Sequence, residues 1–278
     1  MSFGLPYPAN LNRRFDAKKL NDNKSYFFEW NGITGKLTEL TGHPVPSERD
    51  RFDIVINKGA EVLTQTDFVP IAKGFTKPYF SVVPMTGNVN TEEEVATMLK
   101  STGSVFSAVR RYLLELTDRH LFIPQNGITG FFQLMAKNNK TDQVSNIVNE
   151  GTGTNQLVTM LAKIFQPDKA FICIDEPEIH LHPSMVRKLA DVFTEIANDY
   201  NKQFLVSTHS EHFIQALLTQ VAEGKIAADD VKVYYLEQRN GLTHIEAQPI
   251  HEKGQISGGL SHFYESELTD LKSFFHIP

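Results

Sequence analysis

Cysteine is nearly missing from this chain, which carries one, Cys173, in 278 residues. A lone thiol cannot close an intrachain disulfide, so a disulfide framework is excluded and a reducing, cytoplasmic setting is the expectation. Cys173 lies inside the apolar run Ala170–Ile174 and reads as a small core residue. Long apolar runs are missing as well. A membrane-spanning helix needs about 20 apolar residues in succession, and no run comes near that length, so no membrane partner is expected. The N-terminus is polar and Asn-rich, unlike a secretory leader. Positive charge is in deficit, with 27 Lys and Arg against 33 Asp and Glu and a net charge of −6. That argues against the whole chain acting as a polyanion binder and leaves room only for a local basic face. Arg110, Arg111 and Arg119 accordingly read as a solvated helix face. Tryptophan occurs once, yet 20 Phe and a hydrophobic content of 41% support a globular core. The length suits one large domain or two small ones.

The pattern along the chain is uneven. Residues 1–23 are rich in Pro and Asn and read as an extended arm. Strands are expected at Tyr26–Trp30, Phe52–Ile56 and Tyr79–Val83, between turn-rich stretches. Thr91 and Glu94 have the spacing of a capping box that opens a helix through about Lys100. A second helix, about Ser104–Arg119, aligns Val105, Val109, Tyr112, Leu113 and Leu116 on one face. Phe122-Ile123-Pro124 reads as extended and Phe131–Ala136 as helical. From residue 150 the signal sharpens. A helix is expected over Thr154–Phe165, a strand over Ala170–Ile174, and a helix opening at Pro183 with Met185, Leu189, Val192, Phe193 and Ile196 as its apolar stripe. A strand at Gln203–Ser207 follows. Ser210 then caps a helix that turns Ile214, Leu217, Leu218 and Val221 inward. Val231–Glu237 and Leu242–Ala247 pair as a hairpin around Arg239-Asn240-Gly241. A last helix is expected near Ser261–Phe274.

Strand, helix, strand over some 35 residues is a crossover unit with parallel strands, and ligands in such sheets sit outside the carboxyl ends of the strands. The first of these strands ends on Asp175-Glu176 and the second on Ser207-Thr208-His209. Adjacent acids at a buried strand end are costly without a metal or a proton to manage them. A metal-assisted phosphoryl-transfer site is where such a pair is most useful.

Three segments in order carry a resemblance to a known family. Ile174-Asp175-Glu176-Pro177-Glu178-Ile179-His180-Leu181-His182-Pro183 resembles the Walker B segment of the ABC-type, AAA-annotated ATPases. The closest branch is the soluble one related to DNA-repair and overcoming-lysogenization-defect proteins. Ser207-Thr208-His209-Ser210 resembles that family's switch histidine. Glu150-Gly151-Thr152-Gly153-Thr154-Asn155-Gln156 stands where the family's signature turn stands, with a looser match. The resemblance covers roughly residues 120–245. It implies an α/β, P-loop-type ABC ATPase lobe with parallel core strands over 121–278. A β-rich and helical region over 1–120 precedes it, and the lobe is incomplete at the N-terminus. It implies ATP and Mg²⁺ as cofactors. Asp175 would hold the metal, Glu176 would polarise the attacking water, and His209 would sense the γ-phosphate. Backbone N–H groups of Gly151, Thr152, Gly153, Thr154, Asn155 and Gln156 would face the nucleotide of a second subunit. The expected partner is a second copy of the chain, with DNA or an effector protein following from the same resemblance to DNA repair and anti-phage defence.

The phosphate-binding motif Gly-x-x-x-x-Gly-Lys-Ser/Thr is absent from the 278 residues. Gly35-Lys36 lacks its leading glycine, which is Trp30, and its hydroxyl, which is Leu37. Gly224-Lys225 has Thr219 and Ile226 in those places. A truncated ATPase is the favoured reading, beside loss of turnover or a lobe supplied by another polypeptide. Alone, the chain is expected to bind ATP weakly and to hydrolyse it slowly or not at all. Two other functions stay open. A metal-dependent hydrolase would use His180 and His182 as ligands if Ile179–His182 is extended. A non-enzymatic interaction subunit would need no P-loop.

Overall fold

A computed structural model of the protein describes residues 62–71, 73–85, 87, 89–125 and 129–256, together with the backbone of three strands between residues 13 and 39. The expected strand at Phe52–Ile56 and the expected helix at Ser261–Phe274 lie outside the described residues. The contacts divide the chain into two compact units, Met1–Thr66 and Asp67–Pro278.

In the first unit, β1 (Arg13–Lys18), β2 (Ser25–Trp30) and β3 (Gly35–Glu39) form an antiparallel sheet in that order. The register runs from Arg13 opposite Trp30 to Lys18 opposite Ser25, and then from Tyr26 opposite Glu39 to Trp30 opposite Gly35.

The second unit carries the apolar core. It opens with the end of β4 (Thr66–Val69), followed by α1 (Glu92–Ser101) and α2 (Gly103–Thr117). Helix α1 begins as its sequence predicts. The Thr91 hydroxyl accepts from the Glu94 N–H at 3.2 Å, and the Glu94 carboxylate accepts from the Thr91 N–H at 3.0 Å. Helix α2 buries Val105, Val109, Tyr112, Leu113 and Leu116, the face read from the sequence. It stops two residues earlier than expected because Asp118 turns left-handed, φ 57°. Arg119 therefore starts β5 (Arg119–Phe122), which pairs antiparallel with β6 (Met135–Asn138) and through it with β7 (Val144–Asn146).

Two local expectations fail here. Phe131–Ala136 is extended rather than helical. Its alternation buries Phe132, Leu134 and Ala136, a period of two that a short apolar run can hide. Tyr79–Val83 reduces to one bridge, Phe80 to Phe132, since Pro78 and Pro84 flank it and a proline cannot donate to a ladder.

Helix α3 (Thr152–Ile164) crosses the core, and β8 (Phe171–Asp175), α4 (Pro183–Tyr200) and β9 (Gln203–Ser207) follow. β8 and β9 are parallel, from Phe171 opposite Gln203 to Asp175 opposite Ser207, in a sheet ordered β4-β8-β9. Helix α4 has Pro183 in its first turn and buries Val186, Leu189, Ala190, Val192, Phe193 and Ile196. Helix α5 (Glu211–Ala222) starts on Ser210, whose hydroxyl accepts from the Phe213 N–H at 3.3 Å. The hairpin of β10 (Val233–Arg239) and β11 (Leu242–Gln248) turns at Asn240 and Gly241, φ 52° and 76°. Both lie in the left-handed region that a two-residue turn requires. This is the expected α/β arrangement with parallel core strands. No described helix is long and apolar enough to cross a membrane.

Candidate functional site

Parallel pairing puts the ends of β8 and β9 side by side. Asp175 lies opposite Ser207, whose hydroxyl donates to Asp175 Oδ1. The Glu176 N–H continues the ladder to the Ser207 carbonyl at 2.9 Å. There the chain leaves the sheet abruptly, with Glu176 at φ 46°. A left-handed residue with a Cβ costs about 1–2 kcal/mol, so the surrounding contacts must hold it. Ile179 N–H returns to the Glu176 carbonyl at 3.3 Å, and Leu181 N–H to that of Glu178 at 3.0 Å, closing a tight double turn. His180 is left-handed too, φ 61°.

This bend aims the Glu176 carboxylate toward β9. Its Oε1 lies 3.4 Å from Nε2 of His209, and the His209 side chain is 93% exposed against 19% for Glu176. A shielded acid thus stands beside an imidazole open to solvent. One residue earlier, Thr208 donates to Glu178 Oε1 and accepts from the Ser210 N–H at 2.9 Å. The turn after β8 and the turn after β9 are therefore linked by two side-chain contacts.

Asp175 supplies hard carboxylate oxygen with the Ser207 hydroxyl adjacent. That donor set fits Mg²⁺, which commonly takes one or two protein oxygens and fills its remaining positions with water and phosphate. The imidazoles fit a metal poorly. Pro177–His180 is a turn rather than a strand, so the extended geometry needed for joint chelation by His180 and His182 is not met. His182 instead caps α4, with Nδ1 accepting from the Ser184 N–H at 3.3 Å. Among the described residues no group of three or more His, Cys, Asp or Glu could hold a metal ion.

The stretch Gly151–Gln156 divides in two. Gly151 and Thr152 are exposed at the start of α3, whose N-cap Gly151 makes no side-chain cap. First-turn N–H groups of a helix lack intrahelical acceptors, so this end can receive an anion. Thr154 is half-buried and Gly153 is buried. A Cβ on Gly153 would meet the His180 carbonyl oxygen at 2.6 Å and Leu181 Cδ2 at 2.9 Å. Helix α3 thus begins in close contact with the turn that follows β8. Asn155 and Gln156 face inward. The Asn155 side chain brackets Phe75, accepting from its N–H and donating to its carbonyl at 2.8 Å each. The Asn155 N–H bonds back to Gly151 at 3.2 Å. The Asn155 backbone N–H is therefore engaged within the helix, and its side chain is committed to the Phe75 backbone. Just ahead, Glu150 accepts from Arg119 Nε at 2.9 Å and from the Ser145 hydroxyl, so Arg119 is a partly buried anchor rather than part of a solvated helix face.

One participant carried no sequence signal. Lys73, beyond the end of β4, donates from Nζ to the carbonyls of Asp175 and Glu176 at 3.1 Å each. Burial pushes its pKa down, and the charges of Asp175, Glu178 and Glu176 oppose that shift. Lys73 is 102 residues from Asp175 in sequence, and only the sheet order brings β4 beside β8.

Paired acids at one strand tip and a histidine at the next thus stand together at the carboxyl end of parallel strands in an α/β domain. Residues 57–214, more than half of the chain, match the model of the AAA ATPase domain, and the chain belongs to that family. The family resemblance read from the motifs is borne out at this level. No curated protein is similar enough to count as a relative. Among solved structures the chain is similar to the SMC head domain from Thermotoga maritima, at 15% identity and a TM-score of 0.41, over 86% of this chain and 73% of that one. It is similar to an SMC head domain with an extended coiled coil from Pyrococcus furiosus, bound to the C-terminal domain of ScpA. There the identity is 14% and the TM-score 0.41, over 66% of this chain and 40% of that one. A third structure comes from work on ATP-driven dimerization and DNA-stimulated activation of SMC ATPases. It aligns at 17% identity and a TM-score of 0.41, over 55% of this chain and 88% of that one. These likenesses are loose, and nothing about activity follows from them.

Proposed function

We propose that this chain is the ATPase lobe of an ABC-type AAA ATPase and that the ends of β8 and β9 form half of its nucleotide site. The observation that carries the reading is the 3.4 Å approach of His209 to Glu176, one residue beyond Asp175, at the tips of two parallel strands. Asp175, steadied by Ser207, holds the Mg²⁺ of a bound Mg·ATP. The metal supplies neutralising charge to the phosphates when present. Glu176, shielded and left-handed, orients the attacking water and takes up its proton. His209, open to solvent, would contact the γ-phosphate. The start of α3 at Gly151 and Thr152 offers N–H groups to the phosphates of a nucleotide held by a second copy. The functional lobe spans 121–278, with 1–120 as the preceding region. DNA or an effector protein, as in DNA repair or anti-phage defence, is the downstream partner in this reading.

The 278 residues hold no P-loop, and without its lysine and hydroxyl the triphosphate loses its main cradle and one metal ligand. Binding by this chain alone is therefore weak, with a Kd on the order of 1 mM, equivalent to about 4 kcal/mol. Calorimetric titration with Mg·ATP tests this. The reading expects millimolar binding that Asp175→Asn removes and Glu176→Gln keeps, with little or no turnover. No binding at 10-fold higher nucleotide would refute an ATP site. Brisk turnover abolished by Glu176→Gln would refute the need for an added P-loop.

A further inference from the structure

The turn that carries the proposed catalytic acid is fixed by a cation from a distant part of the chain. Lys73 extends its ammonium to two consecutive main-chain carbonyls, those of Asp175 and Glu176, at 3.1 Å each. Consecutive carbonyls point to opposite sides of a regular strand. They converge on one donor here because Glu176 is left-handed, φ 46°. The backbone bend and the lysine contact are thus one geometric fact. An ammonium has three donors, and two of them are engaged here. The Glu176 carbonyl also accepts from Ile179 N–H, so Lys73 acts on the hydrogen bond that closes the turn. A rotation that turned the Glu176 carbonyl away would break its bonds to Lys73 and to the Ile179 N–H together. It would also swing the Glu176 carboxylate away from His209.

We infer that Lys73 is a positioning residue that holds the backbone bend at Asp175-Glu176 and thereby aims the Glu176 carboxylate at His209. Its link to catalysis rests on the ATPase reading above, whereas its hold on the turn does not. Lys73 touches the acids through their main chain and acts on the reaction only through Glu176.

Hydrogen–deuterium exchange of the full chain separates the two parts. Lys73→Met keeps the length of the side chain and removes its donors, while Lys73→Arg restores donors and charge. In Lys73→Met the peptide covering 175–182 should exchange at least tenfold faster, with the α4 peptide 183–200 unchanged. Lys73→Arg should recover most of that protection. Unchanged exchange over 175–182 in Lys73→Met would overturn the inference. If Lys73→Met loses protection everywhere, Lys73→Gln replaces it under the same criteria. Wherever the wild-type chain turns over ATP, Lys73→Met should lower kcat at least tenfold with KM within threefold. A loosened turn with unaltered kcat overturns the positioning role. Mg·ATP that binds neither wild type nor variant, while the exchange difference persists, defeats the ATPase reading and leaves the hold on the turn standing.

Discussion

Gly153→Ala tests the contact that couples the start of α3 to the turn after β8. The added Cβ would lie 2.6 Å from the His180 carbonyl oxygen, a backbone atom with no side-chain freedom to yield, and 2.9 Å from Leu181 Cδ2. Separating them to ordinary contact moves the 180–181 backbone by roughly 0.5–1 Å, which as overpacking costs about 1–3 kcal/mol. Alanine in place of glycine within a helix returns about 1 kcal/mol. The net loss is then about 0–2 kcal/mol. Gly103 is the control, because it opens α2 and a Cβ there meets nothing within 4 Å. Gly103→Ala should gain about 0.5 kcal/mol through the unfolded chain. In urea, with m near 2.5 kcal/mol/M, each kcal/mol shifts the midpoint by about 0.4 M. The midpoint of Gly153→Ala should thus fall below that of Gly103→Ala by roughly 0.2–1 M at unchanged m. A Gly153→Ala protein as stable as Gly103→Ala would refute the close approach.

Three further outcomes follow from named side-chain contacts. Lys163 and Asp67 pair at 3.1 Å with only 7% of each side chain exposed, and Lys163 also donates to the Val89 carbonyl at 2.7 Å. Lys163→Met should destabilise by about 3–5 kcal/mol, and adding Asp67→Leu should recover a large part of that loss in a urea double-mutant cycle. Asn155→Ala orphans both the N–H and the carbonyl of Phe75 and should cost about 2–4 kcal/mol, seen as a lowered midpoint, with Asn155→Asp losing less because one acceptor survives. Thr91→Ala removes half of the capping box of α1 and should cost about 1 kcal/mol, measurable as a modest drop in Tm.

The parts of this fold that were legible in the sequence are those where local chemistry and tertiary structure agree. Thr91 with Glu94, Pro183 at the head of α4, Ser210 at the head of α5 and Asn240-Gly241 in the hairpin each act within four residues of themselves. β8 and β9 could be read because each centres on a short apolar run bounded by polar and turn residues, although β9 itself is half-buried at most and leaves Leu205 exposed. Phe131–Ala136 reads as helical and folds as extended chain because six apolar-rich residues do not separate a period of 2 from one of 3.6. Nothing local to Asn155 signals that its side chain is held by Phe75, 80 positions away. Lys73 could not have been found from motifs, since its ligands are main-chain carbonyls whose direction depends on one left-handed residue.

In the proposed site Asp175 holds the metal of a bound nucleotide while Glu176 acts on the water. The decisive measurement is titration of the chain with Mn²⁺ in the presence and absence of ATP, followed by electron paramagnetic resonance, because the signal reports the metal's surroundings and the ATP-dependent part isolates metal bound with nucleotide. Asp175→Asn should weaken ATP-dependent binding at least tenfold, and Glu176→Gln should leave it within threefold of wild type. Equal binding by wild type and Asp175→Asn, or loss of binding on Glu176→Gln alone, would contradict this division of roles.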